Sequence, residues 1–214
     1  MSDDKVDGRI ALLKPVRALF CNVLNARKFK KNGKEVGDAK YDATLVLDAD
    51  DVKAIKDKML AVAKAKWPSR DLKELKFPIK RAEQVAEKAK RKDPTKDTSI
   101  YTDGTFIMAA RSKYEPQLSY LDGKKVVEFT EANRGLAKSK FYNGCYVVAS
   151  LNFVPYEGDD DDGVTEYLDA VLWVKDGPKI GGVSAAEAFK CYIGTVSGED
   201  PTGGQSTLDD EIPF

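Results

Sequence analysis

Gly144-Cys145-Tyr146-Val147-Val148-Ala149-Ser150-Leu151-Asn152-Phe153-Val154-Pro155-Tyr156 reads as a β-strand. It is entered through the turn dipeptide Asn143-Gly144 and left through a Gly-flanked acidic run at 157–163. The surrounding text has the same grammar. Residues 106–112, 117–121, 125–129, 166–175 and 189–195 are further strand segments. They are separated by Tyr114-Glu115-Pro116, Asp122-Gly123, Asp176-Gly177-Pro178 and Gly181-Gly182. Several strands at short spacing with glycine-marked turns define a small barrel or sandwich.

Toward the N-terminus, residues 9–24 form another apolar strand, interrupted at Pro15, where a bulge or sheet edge is expected. Arg27, Lys28, Lys30, Lys31 and Lys34 then surround Phe29, with a hairpin or loop signal at Asn32-Gly33, and 41–48 is a second strand. Asp50 is the expected N-cap of a helix running to Trp67. Its stripe of Val52, Ile55, Met59 and Val62 would plug an open barrel end, and Pro68 ends it. Residues 64–96 carry twelve basic and five acidic side chains. Within them 82–92 has high helix propensity but only one large apolar residue, Val85. That predicts a weakly docked basic arm or lid, with Lys88 and Arg91 on its cationic face.

The composition narrows the chemistry. With 214 residues, 42% of them hydrophobic, the chain can bury a core as one domain, residues 1–196, followed by a tail, 197–214. There is no histidine and no CxxC pair, which removes His-based triads and most zinc sites, and no cofactor is expected. Cys21, Cys145 and Cys191 read as buried free thiols in a reducing cytosol. No apolar run is long enough to span a membrane, and the N-terminal residues carry no secretory signal.

The formal net charge of zero conceals segregation. Glu199, Asp200, Asp209, Asp210 and Glu211 lie in the tail, so residues 1–198 hold 35 basic against 30 acidic side chains. A basic body with detachable acidic segments suits a polyanion binder. Cations and flat rings occur together at Arg111, Lys113, Tyr114 and Tyr120, and again at Arg134, Lys138, Lys140, Phe141 and Tyr142. Single-stranded nucleic acid needs this pair of residue types, because cations neutralise phosphates while rings stack on unpaired bases. With Lys30, Lys31, Lys88 and Arg91 these residues are the predicted DNA-binding set, Tyr142 foremost. Four consecutive aspartates, Asp159 to Asp162, read as a solvated hairpin tip rather than a metal site.

The glycine-rich, polar stretch at 197–207 has nothing to bury and is expected to be a disordered tether. It ends in Asp209, Asp210, Glu211, Ile212, Pro213 and Phe214. This tip closely resembles the acidic Ile-Pro-Phe terminus of bacterial single-stranded DNA-binding proteins, with Glu211 in place of a third aspartate. The resemblance implies docking of replication or repair proteins. The order of strand, helix and basic insertion resembles the phage-encoded single-stranded DNA-binding proteins of the OB-fold type. So do Phe141-Tyr142-Asn143-Gly144-Cys145-Tyr146, the Val154-Pro155-Tyr156 strand end, and Ala170-Val171-Leu172-Trp173-Val174-Lys175-Asp176-Gly177. That resemblance covers most of residues 8–195. It implies a mainly β fold with inserted helices, a five-stranded OB-like barrel with one nucleic-acid groove, to which the tail's composition adds a disordered acidic C-terminal segment. Groove roles carry over most firmly to Tyr142, then to Arg111 and Tyr114, and only by position to the basic arm. It further implies sequence-tolerant single-stranded DNA binding in phage replication, recombination and repair, as a non-catalytic monomer or homodimer in the cytoplasm of the infected host. A metal-dependent nuclease, a strand-annealing recombination mediator and an adaptor acting through its tail alone are the rival readings.

Overall fold

The computed structural model describes residues 6–31, 33–158 and 161–181. Pro15 splits the first apolar run into β1 (Arg9–Ala11) and β2 (Val16–Lys31). β2 does not stop near Leu24. It continues through the lysine-rich stretch to a two-residue turn, and β3 (Lys34–Leu47) returns along it, with Lys31 opposite Lys34. Gly33 takes the positive φ of 77° that such a turn requires. The expected strand at 41–48 is thus only the inner half of β3. The outer half stands off the body as an exposed two-stranded arm.

α1 (Ala49–Lys66) begins two residues earlier than expected from Asp50. Asp48 is its N-cap, accepting from the backbone N–H groups of Asp50 and Asp51, and the Asp51 carboxylate accepts from the Asp48 N–H. Its buried stripe of Ile55, Met59, Val62 and Ala63 packs into the main core, the plug the sequence suggested. β4 (Ile79–Arg81) and α2 (Ala82–Lys92) follow. Next come β5 (Phe106–Ser112), β6 (Gln117–Asp122), β7 (Lys125–Glu128), the short helix α3 (Arg134–Lys140), β8 (Tyr146–Tyr156) and β9 (Gly163–Lys175). The expected strand at 189–195 and the tail lie outside the described residues, as does Cys191. Cys21 and Cys145 are buried and free.

Five strands close on themselves. β2 pairs with β3, β3 with β5, β5 in parallel with β9, β9 with β8, and β8 back with β2. Numbered within the ring, the order is 1-2-3-5-4-1, the connectivity of an OB barrel. Its interior is filled by alternate residues of each strand, among them Val23, Leu45, Met108, Val147, Leu151, Phe153, Leu168 and Val171. The two seams that close the ring are narrow: Arg111 opposite Tyr167 for β5–β9, and Val16 and Arg17 opposite Val147 and Tyr146 for β2–β8. Where β5 splays from β9, β4 fills the gap by pairing with residues 106–108.

Two expectations need correction here. The basic arm is anchored: Ala82 is fully buried, and Val85, Ile100 and Tyr101 pack with Leu19, Ile107, Phe20 and Val46 in a second apolar cluster on the outside of the barrel. Ile100 and Tyr101, downstream of the helix, supply the apolar contact that Val85 alone could not. The acidic turn is not a freely solvated tip either. Asp161 is ion-paired with Lys76 and Asp162 with Arg70, which holds the Asp162 carboxyl below the usual carboxylate range. Among the described residues no helix is long and apolar enough to cross a membrane.

Candidate nucleic-acid interface

In OB barrels the outer face of ring strands 2 and 3 is the oligonucleotide platform. Here that face belongs to β3 and β5, and it is divided in two. Its lower half, around Val46 and Ile107, is covered by the α2 cluster. The upper half is open and ends at the parallel seam, where Arg111 is exposed beside Tyr167, itself 42% exposed. Ser112 ends β5, and Lys113 and the 83% exposed Tyr114 follow directly. Lys113 reaches across to Asp38 on β3 at 2.9 Å. That contact raises the lysine's pKa, depresses the carboxyl's, and keeps both groups charged. Of the first sequence cluster, Arg111, Lys113 and Tyr114 are together in space, and its fourth member, Tyr120, is not.

The β2–β3 arm rises beside this face. Arg27 grips Asp42 through two hydrogen bonds of 2.9 and 3.1 Å, which ties the base of the arm to the barrel. Beyond it Phe29, 64% exposed, lies opposite the exposed Val36. Lys30 and Lys31 occupy ladder positions opposite Glu35 and Lys34. At the covered half α2 presents exposed Lys88 and Arg91, the latter paired with Glu87 at 3.4 Å. The open half is therefore bordered by a basic arm and a basic helix.

Behind this face lies one carboxylate of the wrong sign. Glu166, next to Tyr167 on β9, is half-buried, and burial pushes its pKa up to about 7. Lys40, Lys80 and Arg111 oppose that rise without forming an ion pair with it. Neither Glu166 nor Tyr167 stood out in the sequence, since both sit inside a strand segment with no cationic neighbour in the chain. Only the β5–β9 pairing brings them to Arg111.

The second sequence cluster breaks up. Phe141 is 4% exposed and packs edge-on against Phe129, so it is a core residue and not a stacking platform. Tyr120 is half-buried with its ring 4.9 Å from that of Phe129, on a strand outside the closed ring. Arg134 is held by Glu115, Glu131 and the Leu24 carbonyl at 3.0, 3.5 and 3.4 Å, clamping α3 to the barrel. Lys140 lies over the Trp173 ring at 3.7 Å, while Lys138 is exposed on α3.

Tyr142 is half-buried at the other end of β9. Its hydroxyl accepts from the Gly177 N–H at 2.9 Å and faces Asp176 Oδ1 and the Gly177 carbonyl, each at 3.0 Å. Burial keeps the phenol neutral. The expectation of a single groove shared by Tyr142, Arg111 and Tyr114 is not met. Tyr146, near Tyr142, pairs with Lys175, whereas Arg111 pairs with Tyr167, eight residues earlier on β9. At about 3.3 Å per residue the two places are roughly 26 Å apart. Among the described residues there is no cluster of three or more potential metal-binding side chains.

An OB barrel with an open, basic, ring-bearing strand face defines an oligonucleotide-binding class of protein. The family described as "Enterobacter phage Enc34, ssDNA-binding protein" matches residues 9–200, and the chain belongs to that family. It is similar in fold to the single-stranded DNA-binding protein of bacteriophage Enc34 in complex with ssDNA. That match has TM-score 0.56 and 20% identity, and covers 81% of this chain and 90% of that one. A second structure of the Enc34 protein matches with TM-score 0.53 and 17% identity, over 88% of this chain and 94% of that one. No curated protein sequence matches the chain.

Proposed function

We propose that this chain binds single-stranded DNA with little regard to sequence, along the open half of the β3–β5 face. The observation that carries the reading is the grouping of Arg111, Lys113, Tyr114 and Tyr167 at one exposed seam of an OB barrel. Two tyrosines offer stacking worth about 1–3 kcal/mol per base, and the cations neutralise the phosphates between them. The β2–β3 arm, with Phe29 and its lysines, closes over the strand from one side, and α2 with Lys88 and Arg91 lines the other. Family membership supports the choice of ligand.

The role is non-catalytic, in phage replication, recombination and repair within the cytoplasm of the infected bacterium. The tip Asp209 to Phe214, outside the described residues, recruits replication or repair proteins: its charge suits an Arg- or Lys-rimmed pocket and its terminal ring an apolar one. The test is a fluorescence titration with oligo(dT) and a matched duplex at low and high salt. Strong preference for the single strand, with affinity falling at about −0.7 per phosphate contacted, is the expected result. Equal affinity for duplex, or magnesium-dependent cleavage of either substrate, would overturn it.

A further inference from the structure

The far end of β9 carries a second group of cations and rings that the strand face does not use. Tyr146 opens β8, opposite Arg17 on β2 and Lys175 on β9, so it sits across the seam on the other side of the ring from β3 and β5. Lys175 lies 4.7 Å over the Tyr146 ring, and Lys179 5.6 Å over that of Tyr142. Both lysines are exposed, so the ring faces they cover are reachable from solvent. The Arg17 guanidinium donates to the Pro178 carbonyl at 3.0 Å, but its Nε is buried without a partner. None of Arg17, Lys175 and Lys179 is ion-paired among the described residues.

The place is rigidly built. Gly144 has φ 107°, and a Cβ there would run into the Pro178 carbonyl. Gly177 meets the Gly144 carbonyl in the same way, and the Tyr142 hydroxyl bonds across the turn. This framework fixes both rings and holds the backbone between the two lysines in place. A cation resting on a ring is a placeholder that a phosphate draws off, leaving the ring for a base.

We propose that this surface is a second site for single-stranded DNA, taking either a later segment of the strand bound at Arg111 and Tyr167 or a segment of another strand. It rests on the reading that the chain binds single-stranded DNA at all. The test compares the full-length protein with its Lys175→Ala/Lys179→Ala variant, in which only exposed side chains change. The first short oligo(dT) strand, taken up at Arg111 and Tyr167, should bind the two equally.

If one strand wraps both sites, long oligo(dT) should show a smaller occluded length in the variant and a salt slope reduced by about 1.4. That slope change is about a sevenfold difference in the affinity lost between 50 and 200 mM salt. If the sites take separate strands, the long-oligonucleotide slope should hold, while energy transfer between two differently labelled short strands on one wild-type protein disappears in the variant. A variant that matches wild type in occluded length, slope and strand bridging overturns the second site and leaves the first standing. A wild-type protein that binds no oligonucleotide overturns the first reading and this one with it.

Discussion

Glu166→Gln is the most informative single change at the proposed DNA face. The wild-type carboxyl has a pKa of about 7 in the folded protein against an ordinary 4.5, because burial disfavours its charge more than Arg111, Lys80 and Lys40 favour it. The folded state therefore holds this proton more tightly than the unfolded chain. The stability linked to it is fully present below 4.5 and is lost as pH rises through 7. At about 1.4 kcal/mol per pH decade the whole effect is on the order of 3 kcal/mol, of which about 2 falls between pH 5.5 and 8.5. Urea unfolding at those two pH values should show the wild type losing that amount relative to the glutamine variant. A bound phosphate would add negative charge nearby and raise the pKa further, so DNA binding near pH 7.5 should take up a proton. Wild-type affinity should then weaken with rising pH while that of Glu166→Gln stays flat. Parallel stability curves for the two proteins would refute the argument, since they would mean that Glu166 is solvated and charged in the fold.

The remaining expectations concern single elements. Tyr142→Phe should lower stability by about 1–2 kcal/mol, read by thermal unfolding, because the Gly177 N–H and the Asp176 carboxylate lose the hydroxyl that joins them. Gly144→Ala should destabilise by more, about 2–4 kcal/mol by urea unfolding, since positive φ and the Pro178 carbonyl both oppose a side chain. Tyr167→Ala should weaken oligo(dT) binding by about 1–3 kcal/mol with the unfolding midpoint little moved, and an unchanged affinity would remove the ring from the interface. Deleting residues 199–214 should tighten DNA binding at low salt and much less at high salt, because a tethered acidic segment competes at an effective concentration on the order of millimolar; weaker binding would rule out that competition.

Strand text was the most legible part of the fold. The bounds of β5 and α2 follow from local pattern alone, because a turn dipeptide or a proline marks each neighbouring break. The outer half of β2 was not legible. Residues 25–31 lack apolar alternation, and what makes them a strand is cross-strand pairing with β3, Arg27 opposite Lys40, backed by the Arg27 side chain on Asp42. α3 was missed because seven residues with one buried alanine leave almost no periodic signal. At the site, Arg111, Lys113 and Tyr114 were readable because they are neighbours in the chain. Tyr167 and Glu166 join them only through a parallel seam, a contact without local trace. Phe141 and Tyr142 show the opposite difficulty. A ring beside lysines has the same text whether it turns inward or outward, and the direction was decided by how α3 hands over to β8.

The closed ring also sets the order in which the chain can become itself. β2 with β3 and β8 with β9 are hairpins of near neighbours, but Val16 must find Val147 before the barrel has an inside. Seams between such distant residues carry the largest loop-closure entropy, so they form late and slow the reaction. At synthesis rates of about 5–20 residues per second, β2 leaves the ribosome on the order of ten seconds before its partner β8 exists. Throughout that interval Val16, Ala18, Cys21 and Val23, all buried in the finished barrel, face water. The nascent N-terminal half is therefore the form of this protein most in need of a chaperone.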